Sequence, residues 1–155
     1  MKNFVVFLFL AASSLMSYGQ NKDSMSLSES LEWIKTQMET KIKGNVYGYD
    51  VSYNVSYTGS IIKISQNLKK SGDERKVIYD FDLSKMKVGK NVLFAYSESE
   101  GSLLITIKKS LLISVKAKNS RKRDMKVTFY KGVDNNFAKK IEDVFKHSAK
   151  LAMSK

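Results

Sequence analysis

The sequence predicts an α+β domain: an N-terminal helix, about seven antiparallel strands in a strongly bent sheet or barrel, and a C-terminal helix packed on it. Three observations carry this reading. Apolar residues recur at helical spacing near both ends of the chain, whereas between them the apolar period is two. Turn residues return roughly every ten positions, which leaves no room for the crossover segments that parallel strands require.

The first twenty residues, MKNFVVFLFLAASSLMSYGQ, have the three parts of a secretory signal: Lys2, an apolar run from Phe4 to Ala12, and small or polar residues at Ser17 to Gly19. The run is interrupted by Ser13 and Ser14, so it is too short for a membrane anchor, which needs roughly 20 apolar residues. Residues 1–19 are therefore expected to be a signal peptide cleaved before Gln20, and residues 20–155 a single soluble domain, exported to the periplasm or the medium. A chain of that length buries about two thirds of its unfolded surface, enough for one core without covalent staples. Cys is absent. That removes disulfides, thiol nucleophiles, Cys-bound zinc and a lipid-modified Cys, yet leaves export open.

Residues 26–43 read as the first helix. Leu27, Leu31, Ile34, Met38 and Ile42 form its apolar stripe, Ser26 and Glu29 fit a capping box, and Gly44 is placed as a stop. Trp33 lies off the stripe, so a simple wheel exposes it as a candidate protein contact.

From Val46 to Tyr57, Tyr47, Tyr49, Val51, Tyr53, Val55 and Tyr57 alternate with small or polar residues, as in one long strand. Thr58-Gly59-Ser60 turns into a second strand with Ile62 and Ile64, ending near Leu68. Lys69 to Arg75 reads as a polar loop. Val77, Tyr79, Phe81 and Leu83 share one face of a third strand, followed by a short basic connection from Ser84 to Lys90. Val92, Phe94 and Tyr96 mark a fourth, and Glu98 to Gly101 a hairpin turn into a fifth with Leu103, Ile105 and Ile107. Leu111, Ile113, Val115 and Ala117 form a sixth; Met125, Val127 and Phe129 a seventh. The sheet thus covers 46–130 with consecutive strands paired. Asp134 or Asn135 caps the last helix, 134–153, whose stripe is Phe137, Ile141, Val144, Phe145, Ser148 and Leu151.

Seven strands followed by a C-terminal amphipathic helix resemble the pleckstrin-homology superfold over residues 46–155. The resemblance implies a bent barrel plugged by that helix. It does not extend to ligand residues: the family's phosphoinositide site gathers Lys and Arg around the first hairpin, which here is Tyr57-Thr58-Gly59-Ser60 with only Lys63 nearby.

Catalytic groupings are not found. His147 is the only imidazole and sits at the flank of the last helix, so it reads as a boundary residue. Asp80 and Asp82 share a strand face as paired acids could, but with Lys63 and Lys76 nearby they read as a solvated face. No phosphate loop or nucleophile elbow occurs, and no cofactor is expected.

Charge is more informative. Lys and Arg number 27 against 15 Asp and Glu, and between Gly101 and Lys131 nine bases face Asp124 alone. Alternation and the Arg121-Lys122-Arg123 loop suggest one basic sheet face of Lys116, Lys118, Arg121, Lys122, Arg123 and Lys126, suited to an anionic surface or polymer. The competing explanation is that lysines on a sheet guard against edge pairing. Lys outnumbers Arg by 24 to 3, which suits diffuse attraction more than bidentate phosphate recognition, and nucleic acid is not expected. The sequence therefore points to a non-enzymatic binding domain, with a structural or assembly subunit of the cell envelope, including a homo-oligomer, as the alternative.

Overall fold

The computed structural model describes residues 24–42, 44–46, 48–116, 124–129 and 133–154. The expected signal peptide, residues 1–19, lies outside them. Helix α1 (Leu27–Lys41) is followed by strands β1 (Gly44–Val46), β2 (Tyr49–Thr58), β3 (Ile61–Lys70) and β4 (Asp73–Asp82). A 3₁₀ turn at Leu83–Lys85 leads to β5 (Val92–Ser97), β6 (Ser102–Ile107), β7 (Leu112–Lys116), β8 (Met125–Phe129) and helix α2 (Asn135–Met153).

The α+β class holds, with eight strands in two antiparallel sheets and no closed barrel among the described residues. The larger sheet runs β1-β2-β3-β4-β7 and the smaller β5-β6-β8. Consecutive pairing therefore fails at three places: β4 pairs with β7 and not β5, β6 pairs with β8, and β7 and β8 are in different sheets. Alternation reports which face of a strand is apolar, but both sheets turn their apolar faces to the same core, so it could not say which sheet a strand joins. That core takes Leu31, Ile34 and Met38 from α1, Ile62, Ile64 and Phe81 from the larger sheet, Ile105, Met125 and Phe129 from the smaller, and Ile141, Val144 and Phe145 from α2.

Both helix starts match their local signals. Ser26 and Glu29 form the capping box at α1, and the Asp134 carboxylate accepts from the Phe137 amide at 2.7 Å to start α2. The expected first strand is broken in two at Gly48, whose φ of +80° forms the turn of a β1–β2 hairpin. The expected loop at 69–75 is much shorter, because β3 continues to Lys70 and β4 starts at Asp73 around Gly72.

Strand β7 departs from simple alternation. Asp80 pairs with Ser114 and Phe81 with Leu112, so Ile113 has no partner on β4 and is the extra residue of a β-bulge. Leu112 and Val115 stay on the core side, while Ile113, expected inside, is 54% exposed.

Helix α1 closes the part of the β2 edge that β1 leaves uncovered. Glu39 Oε1 accepts from the Val55 amide at 2.7 Å, and the Tyr57 hydroxyl donates to Glu32 at 3.1 Å. A helix supplying side-chain acceptors to a sheet edge removes a template for intermolecular pairing. Among the described residues no helix is long and apolar enough to cross a membrane.

Candidate functional site

Three loops meet beyond the C-terminal end of β4. The first, from the 3₁₀ turn to β5, carries Lys85, Lys87 and Lys90. The second, between β6 and β7, carries Lys108 and Lys109, and the third is the entry to β8 with Asp124 and Lys126. Asn91 and Asp124 fasten them together. The Asn91 side chain accepts from the Lys87 amide at 2.6 Å and donates to the Lys85 carbonyl at 2.9 Å, while its backbone carbonyl accepts from the Lys108 amide at 2.8 Å. Asp124 Oδ1 accepts from the Lys109 amide at 2.8 Å. Lys126 lies opposite Thr106 on β6, one pair from the Ile107–Met125 end of the ladder.

The backbones of these lysines are thus held while their ammonium groups reach solvent; all are exposed except the half-buried Lys108. The two acids on the same loops are already engaged. Asp124 holds the Lys109 amide. Asp82 accepts from the Ser60 hydroxyl at 2.8 Å and from the Ser84 amide and hydroxyl at 3.0 and 2.8 Å. Partial burial pushes the Asp82 carboxyl up, but its hydrogen bonds from Ser84 and Ser60 outweigh this and hold it below the usual aspartate value.

This arrangement differs from the single basic sheet face expected from the sequence, of which Lys116 and Lys126 are the described members. Lys116 and Lys126 are both exposed but stand on different sheets, Lys116 opposite Ile78 on β4 and Lys126 beside β6. Lys118, Arg121, Lys122 and Arg123 lie outside the described residues. The members outside the expected face are Lys85, Lys87, Lys90, Lys108 and Lys109. The signal for the first three was the short basic connection, but joining it to Lys108 takes the contact through Asn91, which no local pattern reveals.

Trp33 is half-buried and packs against the core, with Lys140 Nζ of α2 5.5 Å from its ring centroid. The wheel exposed it because it allowed α1 one packing surface, whereas α1 rests on both β2 and α2. His147 is a half-buried boundary residue whose Nε2 lies 2.8 Å from the Met25 carbonyl. Since a carbonyl can only accept, Nε2 carries the proton. Asp80 accepts from the Ser114 hydroxyl at 2.5 Å, a cross-strand tie, whereas Asp82 is bonded to Ser60 and Ser84.

A second charged cluster occupies the opposite end of β4. The Asp73 carboxylate accepts from the Tyr49 hydroxyl at 2.6 Å and from Arg75 Nε at 2.9 Å, and the Arg75 guanidinium lies 5.1 Å from the Tyr49 ring centroid. An open cleft of about 500 Å³ runs beside it, lined by Asp50, Lys69, Lys70 and the turn residues. Lys69 and Glu74 pair at 2.8 Å across its rim, so these charges largely satisfy one another.

Comparison with family models, curated proteins and solved structures gives no match.

The Asp73 cluster has its own pH dependence. Arg75 and then Tyr49 hold the Asp73 carboxyl below its usual value. A depressed folded-state value means that the unfolded tip binds protons first, so the contribution is present at neutral pH and fades as pH falls below about 4. The expected result is local loosening of the β3–β4 turn on acidification, read from the Arg75 Nε–H NMR signal. Asp73→Asn should remove that dependence and leave the rest of the spectrum unchanged.

Proposed function

We propose that this chain is an exported, non-enzymatic binding domain whose lysine-rich loop end contacts an anionic partner. The observation that carries the reading is the fastening of three lysine-bearing loops by Asn91 and Asp124, with both acids of those loops committed to structural hydrogen bonds. Fixed loops that carry Lys85, Lys87, Lys90, Lys108, Lys109 and Lys126 against the negative Asp82 and Asp124 give a persistent positive patch, and ordering them costs little further entropy on binding. The predominance of Lys over Arg favours attraction to a dense negative charge over recognition of one phosphate geometry.

The test is retention on an immobilised sulfated polysaccharide. Wild type is expected to bind at low ionic strength and to elute with a steep salt dependence, because each neutralised charge releases counterions. Lys87→Glu, Lys108→Glu, Lys109→Glu and Lys126→Glu combined should bind about a thousandfold more weakly, at roughly 1 kcal/mol per lysine removed from a charged surface. Reversing Lys69, Lys70 and Lys76, on the far half of the larger sheet, should change retention much less. Equal losses from both sets would mean that only net charge matters and would refute the site.

A further inference from the structure

The lysine end is also where the chain enters the fold. Helix α1 runs against β2, with Glu39 at Val55 and Glu32 at Tyr57, so its N-terminus lies towards the β2–β3 turn. That turn is tied to the lysine loops, since the Ser60 hydroxyl donates to Asp82 and the Leu83 amide to the Ser60 carbonyl at 3.0 Å. Helix α2 runs antiparallel to α1: Lys41 lies over the Phe137 ring at one end, and His147 bonds the Met25 carbonyl at the other. The last turn of α2, with Lys150 and Met153, therefore lies at this end too. So do Ser24 and Met25, the first described residues, from which the preceding chain must leave.

Two large apolar side chains are exposed among the described residues, Ile113 at 54% and Met153 at 57%. Both belong to this end. Ile113 is the bulge residue just after the Lys108–Lys109 turn, and Met153 closes α2. Acidic neighbours are outnumbered by the lysines: Asp82 and Asp124 as described, and Glu29, which accepts from the Ser26 amide at 2.7 Å. Lysines around isolated exposed apolar side chains suit an interface with a charged plane and hydrocarbon beneath it, whereas a hydrophilic polyanion gains nothing from Ile113 or Met153.

We infer that this end docks on an anionic phospholipid bilayer, with the lysines at the headgroup level and Ile113 and Met153 at the acyl boundary. The inference rests on the anionic-partner reading above and names its partner. Neither contact alone is strong; charge and apolar contact together give the two signals that stable peripheral attachment needs.

The experiment is cosedimentation of the exported protein with phosphatidylcholine vesicles, with and without phosphatidylglycerol, beside retention on the sulfated polysaccharide. Wild type should bind only the phosphatidylglycerol vesicles. Ile113→Ser with Met153→Ser should weaken that binding about tenfold, the scale expected for losing two partly inserted side chains, with polysaccharide retention unchanged. Both positions are exposed, so the melting temperature should be preserved; Met153→Ser alone, in the last turn of the final helix, should shift binding in the same direction. Vesicle binding equal to wild type in these variants overturns the bilayer docking. Retention on the polysaccharide with no vesicle binding overturns it as well but leaves the anionic-partner reading standing, whereas failure to bind either probe removes both.

Discussion

Phe81→Ala is expected to lower the unfolding free energy by about 3–5 kcal/mol. The Phe81 side chain is completely buried. It stands between Ile62 of β3 and Leu112 of β7, both within a few per cent of full burial, where a strand from late in the sequence joins the N-terminal meander. Removing the ring leaves a cavity between neighbours held by ladders on both sides of β4, so collapse around it is restricted. The bulge at Ile113 adds to the constraint, because Leu112 reaches the core only while the register shift beside Phe81 is maintained. In a domain of this size the corresponding fall in melting temperature is roughly 10–15 °C. Phe81→Leu, which keeps most of the volume, should cost about 1 kcal/mol. Urea denaturation of the three proteins checks the series, and a loss below about 1 kcal/mol for Phe81→Ala would mean that β7 is not anchored through this residue.

How much of this was legible follows from how far apart the partners are. Ser26 with Glu29, and Asp134 with the Phe137 amide, are three residues apart, and both helix starts were readable. The inward residues of β2 to β4 were readable too, since each strand carries its own period. Ile113 was not, because one inserted residue reverses the phase and nothing in the sequence marks where the insertion falls. The same limit hid the lysine end. Lys87 and Lys108 are connected through Asn91, and Lys109 and Asp124 by a contact across fifteen positions, and a charge count along the chain put Lys116 and Lys126 on one sheet when the fold places them on two.

Leu31→Ala is expected to cost about 3 kcal/mol, and the way the loss is distributed matters more than its size. Leu31 is 2% exposed and sits mid-stripe on α1, the helix that shields the free edge of β2. If α1 is a lid on that edge, weakening its grip should open the edge before the sheet. Val55 gives the local reading, since its amide points away from β3 and donates to Glu39 of α1. The neighbouring amides of Asn54 and Ser56 point the other way, towards β3, because the direction alternates along an antiparallel strand. Hydrogen exchange in Leu31→Ala should therefore speed up at Val55 beyond the change at Asn54 and Ser56, with association at high concentration as the uncovered edge begins to pair. Glu39→Ala separates the two contributions. It deletes the acceptor without hollowing the core, so Val55 exchange should rise while the melting temperature changes far less than in Leu31→Ala. Equal acceleration at all three amides in both variants would reduce α1 to a source of global stability and remove its role as an edge cover.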